Sequence, residues 1–212
     1  MTTNAPRLLA QVAEYYDDKA RTYGATPKGA DWRDAESQEL RFLELAKVLR
    51  GARTGSIAEV GCGWGAFPLW AQRHSLDLDY TGYDISEVML REAESVCGAL
   101  PNVRFAKGDR PDAMADYVVA SGIFNVRFDA PNDNWLDLVR STIDNMYEKA
   151  RIGIAFNFLT GFSDRDRMEA RLYYADPGAI LNYCIGRFGR HVTLNHDYGL
   201  YEFTVLVWKG NA

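Results

Sequence analysis

Cysteine is scarce in this chain of 212 residues: Cys62, Cys97 and Cys184 are the whole complement. They are odd in number, far apart, and form neither a CxxC pair nor a metal-ligand spacing. No disulfide framework and no metal site is therefore expected, and reduced thiols are the simple account. Histidine is equally sparse, with His74, His191 and His196. Long apolar runs are lacking, so no membrane span is expected. The N-terminus has no basic region followed by an apolar run, so no signal peptide is expected, and a soluble cytoplasmic protein follows as the expectation. Positive charge is not in excess either: Lys plus Arg number 24 against 29 Asp plus Glu, a net charge of -5. Binding to nucleic acid needs clustered Lys and Arg, so no nucleic-acid partner is expected. The run Asp164-Arg165-Asp166-Arg167 reads as a solvated face.

What is present is an ordinary globular composition, 47% hydrophobic and 25% charged, at a length that suits one domain with a substantial core. Leu9, Val12, Ala13, Tyr16 and Ala20 recur at helical spacing, predicting a helix over 6–23. A second helix is predicted over 34–50, stopped by Gly51. From Ser56 onward, short apolar runs alternate with helical stretches. Strands are predicted at 56–61, 78–84, 103–107, 116–121, 150–158, 191–197 and 201–208. Helices are predicted at 65–74, 86–97, 132–148 and 177–186. This alternation implies an α/β, doubly wound sheet of seven strands, mostly parallel, with helices on both faces. Only Gly199-Leu200 separates the last two strands, too short for a crossover, so the last strand should run antiparallel. Residues 1–55 are read as an N-terminal helical cap over the carboxyl edge of the sheet, and 56–212 as the cofactor-binding domain, together one compact unit.

Chemistry concentrates in Ile57-Ala58-Glu59-Val60-Gly61-Cys62-Gly63-Trp64-Gly65, an apolar strand entering a glycine-rich turn and then a helix. Glycines allow a tight turn and a close backbone approach to a ligand, and free amides at the helix start suit an anionic group. With Ala66 the string also fits the relaxed dinucleotide fingerprint G-x-G-x-x-G/A, so a nicotinamide-dependent oxidoreductase stands as an alternative.

The stretch resembles motif I of the class I S-adenosylmethionine (SAM)-dependent methyltransferases, with Glu59, Gly61, Gly63 and Gly65 at the motif positions. Three further elements follow in the family's order: Tyr83-Asp84-Ile85-Ser86 at the end of the second strand, Lys107-Gly108-Asp109 after the third, and Ser121-Gly122-Ile123-Phe124-Asn125 after the fourth. The terminal hairpin also belongs to that architecture. The resemblance implies SAM as cofactor, with Glu59 near its methionine end, Asp84 on the ribose hydroxyls and Asp109 near the adenine amine. Gly61, Cys62, Gly63, Ile85, Ser121 and Phe124 complete the expected cofactor contacts. A non-catalytic SAM-binding protein is the remaining alternative. SGIFN replaces the Pro-Pro string with which DNA-methylating members grip a flipped base, which points to a small-molecule acceptor methylated at oxygen or nitrogen. The strings EYYDDKARTYG, DWRDAESQELRF, YYADP and HDYGLYEFT are similar to methyltransferases of bacterial surface-polysaccharide and natural-product pathways.

Methyl transfer requires alignment of donor and acceptor, exclusion of water and, for some acceptors, removal of a proton. Tyr16 and Trp32 are candidate lid aromatics over the sulfonium, and Arg41 is a candidate partner for the cofactor's carboxylate. Asn125, Tyr173, Tyr174, Tyr198 and Glu202 are candidate acceptor contacts, since the ends of the fourth and sixth strands and the start of the seventh should share the ligand edge. His196 is the candidate general base because its unperturbed pKa lies near neutrality; the plain alternative is an exposed turn residue. Asp176 before Pro177 reads as a helix N-cap with proline in the first turn.

Overall fold

The computed structural model describes residues 5–210. Two helices, α1 (Ala5–Tyr23) and α2 (Ala35–Ala46), precede the first strand, β1 (Thr54–Val60). Then follow α3 (Ala66–Arg73), β2 (Asp77–Asp84), α4 (Glu87–Cys97), β3 (Val103–Lys107), β4 (Ala115–Ala120), α5 (Asn132–Lys149) and β5 (Ala150–Thr160). The chain closes with β6 (Tyr174–Ala175), α6 (Pro177–Phe188), β7 (Val192–Asn195) and β8 (Glu202–Trp208). The expected helices and strands are all present. The addition is β6, a two-residue strand parallel to the end of β5, which makes the sheet eight-stranded.

Local chemistry sets the helix starts. Asp34, Ser86 and Asp176 each accept a hydrogen bond from a backbone amide in the first turn of the helix that follows: Ser37 N at 2.8 Å, Met89 N at 3.0 Å and Ala179 N at 3.0 Å. Each satisfies one of the amides a helix start leaves free.

The main strand order is β3-β2-β1-β4-β5-β8-β7. β1 to β5 pair in parallel, and β8 runs antiparallel to both β5 and β7. Burial explains why β8 lies between β5 and β7 and not at the edge. Every residue of β8 is buried, whereas none of β7 is; a strand apolar on both faces needs neighbours on both sides. α5 and α6 cover one face, where Trp135, Val139 and Ile143 meet Val118, Ile154 and Phe156. α2 and α3 cover the other, where Phe42, Leu45 and Trp70 meet Ile57, Val119 and Leu206. α2 is thus part of a packed face as well as of the cap. Cys62, Cys97 and Cys184 are free and buried.

Strand order reverses at β1, whose neighbours β2 and β4 lead to opposite sides of the sheet. Such a switch point opens a crevice beyond the carboxyl ends of the strands. α1 lies across that crevice.

Candidate active site

The crevice is a cavity of about 1140 Å³, counting its open mouth. It runs across the sheet edge from the α2 and α3 side to the α5 side. Its floor is the glycine turn after β1. Gly61, Gly63 and Gly65 all have positive φ, at 72°, 53° and 79°, a region where side chains are disfavoured. The first two glycines differ in surroundings. A Cβ on Gly61 would lie 2.2 Å from Ile123 Cγ2, whereas one on Gly63 would meet nothing within 4 Å. Gly61 is required by the protein's own packing, whereas Gly63, in the cavity wall, has open space at its Cβ position.

Asp84, at the end of β2, is buried beside this turn. One carboxylate oxygen accepts from Gly63 N at 2.8 Å and the other from Ser86 N at 2.8 Å. Burial pushes its carboxyl pKa up, against the pull of those amides. Glu59 is 2% exposed and accepts the Tyr80 hydroxyl at 2.5 Å. Burial raises its pKa to about 8, even though the Tyr80 bond favours the ionised form. Two carboxyls poised this way suit a ligand that brings hydroxyls or an ammonium group.

Every residue expected to touch the cofactor lines this one cavity except Arg41: Glu59, Gly61, Cys62, Gly63, Asp84, Ile85, Asp109, Ser121 and Phe124 are all in its wall. Of the expected acceptor contacts, Tyr16 and Trp32 are there too. Tyr16 packs on the Ala20, Val88 and Met89 cluster, and burial pushes its phenol pKa up.

The remaining candidates are placed elsewhere, each for an identifiable reason. Arg41 does not line the cavity. Its Nε donates to Glu202 at 2.9 Å, a terminal nitrogen donates to the same carboxylate, and the other donates to the Ser37 carbonyl at 2.7 Å. Glu202, 1% exposed, is thereby taken up as well, and also accepts from Asn157 Nδ2 at 2.7 Å. Asn125 is buried in a structural tie, accepting Leu159 N on its side chain and Tyr173 N on its carbonyl. Tyr173 packs against Trp135 and Phe158, and the Tyr174 hydroxyl accepts Glu169 N. Tyr198 bonds Thr204 through its hydroxyl at 3.0 Å. His196 is exposed, beside Phe162 and Phe203. His196 and Tyr198 share the expected edge of the sheet but not the cavity, because β8 and β5 stand between β7 and β4.

Sequence reasoning missed Leu9 and Val12 of α1, Gln38 and Phe42 of α2, Trp64, Met89, and the α5 row Trp135, Leu138 and Thr142. Trp64 stands in the glycine turn itself; for the others the available signal was helical periodicity, which is the same for a side chain facing a cavity as for one facing a core.

Comparison with known proteins agrees with the geometry. Residues 58–148 match the family described as “Methyltransferase domain”. The protein named “Putative methyltransferase Rv1506c” of Mycobacterium tuberculosis (strain ATCC 25618 / H37Rv) is 41% identical over 165 residues, 78% of this chain and 99% of that protein. Among solved structures, magnesium protoporphyrin IX methyltransferase from Synechocystis PCC 6803 with bound S-adenosylhomocysteine (SAH) superposes with a TM-score of 0.70 at 17% identity, covering 95% of this chain and 99% of that one. The DhpI–SAH complex gives 0.64 at 18% identity, covering 94% and 95%. These two show a shared fold. The relationship to the mycobacterial protein spans nearly that protein's whole length, and with the motif order along the sheet edge it places this chain in the class I SAM-dependent methyltransferase family.

Proposed function

We propose that the protein transfers a methyl group from SAM to an oxygen or nitrogen of a small-molecule acceptor. The observation that carries this reading is the arrangement around Gly63: a left-handed backbone position with open space where its Cβ would be, tied through its amide to a buried aspartate at the end of β2. The empty volume suits a ligand pressed against the backbone, and Asp84 suits paired ribose hydroxyls. The chain's own groups would bind and orient SAM: Asp84 at the ribose, Glu59 toward the methionine end, Asp109 toward the adenine. Tyr16 would roof the site and exclude water. SAM supplies the methyl group on a sulfonium that leaves readily, so alignment is the protein's main task. We treat residues 1–55 as the cap of this site and 56–212 as the domain that holds the cofactor.

Magnesium protoporphyrin IX methyltransferase, a neighbour in fold, bears a small-molecule acceptor in its name, and a small-molecule acceptor is the reading here. No described helix is long and apolar enough to cross a membrane, in keeping with a cytoplasmic enzyme. With a net charge of -5, a gel shift with DNA or RNA at physiological salt should show no complex; micromolar, salt-sensitive binding would remove the small-molecule reading. Calorimetric titration tests the cofactor directly. SAM and SAH should bind and NAD should not, and NAD binding without SAM binding would replace this reading with the oxidoreductase one.

A further inference from the structure

We propose that the acceptor end of the cavity takes a molecule whose enclosed part is an apolar, ring-sized body without negative charge, and that Trp32 is the wall that positions it. This rests on the reading that Gly63 and Asp84 hold SAM at the other end.

Charge in the cavity is distributed unevenly. Its carboxyl groups, Glu59, Asp84 and Asp109, all belong to β1, β2 and the turn after β3. Among the described residues that line it there is no Arg, Lys or His. Cations do stand behind the wall, but they are turned away and paired. Arg41 stacks on the Trp32 ring at 4.1 Å and gives its hydrogen bonds to Glu202 and Ser37. Lys19 and Arg171 both pair with Asp31, at 2.7 and 3.2 Å. An anionic group on the enclosed part of an acceptor would lose its hydration and find no protein counter-ion. The one cation at the transfer point, the sulfonium, is discharged by the reaction itself.

Trp32 is held by a closed ring of contacts. Its indole lies against Gly122, where a Cβ would meet two ring carbons at 2.3 and 2.6 Å. Gly122 N donates to Asn157 Oδ1 at 2.7 Å, Asn157 Nδ2 donates to Glu202 at 2.7 Å, Glu202 pairs with Arg41, and Arg41 stacks back on Trp32. The ring joins the cap to the turn after β4, where the methyl group must pass. It spends the charge of Arg41 internally and presents the cavity with an aromatic wall. A flat or ring-shaped apolar body is the complement of such a wall.

The test uses the full chain saturated with SAH, so that no sulfonium biases the result. Benzyl alcohol and benzoate share one body and differ in charge at pH 7. Saturation-transfer NMR titrations should show benzyl alcohol binding at least tenfold more tightly than benzoate. Trp32→Ala should weaken benzyl alcohol about tenfold while SAH affinity stays within twofold, and Trp32→Phe should restore most of it. Glu202→Gln, which leaves Arg41 without its counter-ion, should narrow the gap between benzyl alcohol and benzoate. Benzoate binding as tightly as benzyl alcohol overturns the inference, as does a SAH-loaded protein that binds neither. If SAH itself does not bind, the methyltransferase reading of the cavity fails instead, and calorimetry separates that result from the others.

Discussion

Two neighbouring glycines of the turn should respond oppositely to the same added methyl group. Gly63 has φ 53° with empty space at its Cβ position, and Gly61 has φ 72° with Ile123 Cγ2 only 2.2 Å from its Cβ position. Alanine at either site incurs the left-handed backbone penalty, roughly 1–2 kcal/mol. At Gly63 that is the whole cost to folding. For a domain of this size it lowers the melting temperature by about 2–8 °C. At Gly61 the overlap with Ile123 adds overpacking of about 1–3 kcal/mol, so Gly61→Ala should be clearly the less stable variant. Binding should rank the other way per unit of stability lost. Gly63→Ala puts a methyl group where the cofactor must approach the backbone, and SAM affinity should fall by about 1–3 kcal/mol, roughly five- to 150-fold. Thermal unfolding and calorimetry with SAM, run on both variants, give the two readings. Pairing Gly61→Ala with Ile123→Ala should recover part of the lost stability, because the clashing carbon is gone. A Gly63→Ala protein that is folded and binds SAM as wild type would refute the assignment of that space to the cofactor.

Three other outcomes follow from the same geometry. Asp84→Ala removes the proposed ribose acceptor and leaves the Gly63 and Ser86 amides without their partner; calorimetry should show SAM affinity lower by roughly 1–3 kcal/mol, and unchanged affinity would count against the site. Glu59, raised by burial to about 8 from an ordinary 4.5, binds its proton more tightly in the folded chain, so it costs stability progressively as pH rises from about 4.5 to 8; Glu59→Gln should flatten that decline in urea unfolding measured at pH 5 and pH 8, by a few kcal/mol at most, and a decline of unchanged slope would show that other groups cause it. His196→Ala should leave SAM affinity unchanged and methyl transfer within about twofold of wild type, since the ring is exposed and outside the cavity; a loss of two orders of magnitude or more, the size of a general-base contribution, would return it to the mechanism.

The proposed cofactor end of the cavity was legible because each of its pieces is written in contiguous residues. Glu59 through Gly65 specify a strand, a turn and a helix start in one string, and Tyr83 through Ser86 repeat the logic with an N-cap added. Such pieces need only the parallel strand order to be brought together, and the alternation of strands and helices supplies that order. The interior position of β8 was not anticipated, although the apolar run Phe203–Trp208, interrupted only by Thr204, is what an interior strand requires. β6 was missed because two residues carry no period.

The surroundings of the proposed acceptor end were illegible for a different reason, and Arg41 and Glu202, which stand behind the cavity wall, show it best. Arg41 is flanked by Leu40 and Phe42 and Glu202 by Tyr201 and Phe203, and a charge buried in such a setting needs a partner. The need is visible in sequence, but the partner's identity is not. Assigning each residue to a ligand satisfies the requirement as well as assigning each to the other, and the two are separated by 161 positions. Only the insertion of β8 beside β5, with α2 packed on the same face, brings the carboxylate under the guanidinium. The same holds for Asn157, whose amide bridges Glu202 and Gly122 across three elements. The cofactor end is therefore specified locally and the acceptor end by long-range contacts. The Arg41–Glu202–Asn157 contacts include no residue of the Glu59–Gly65 string, so a substitution among them leaves the local determinants of the glycine turn in place.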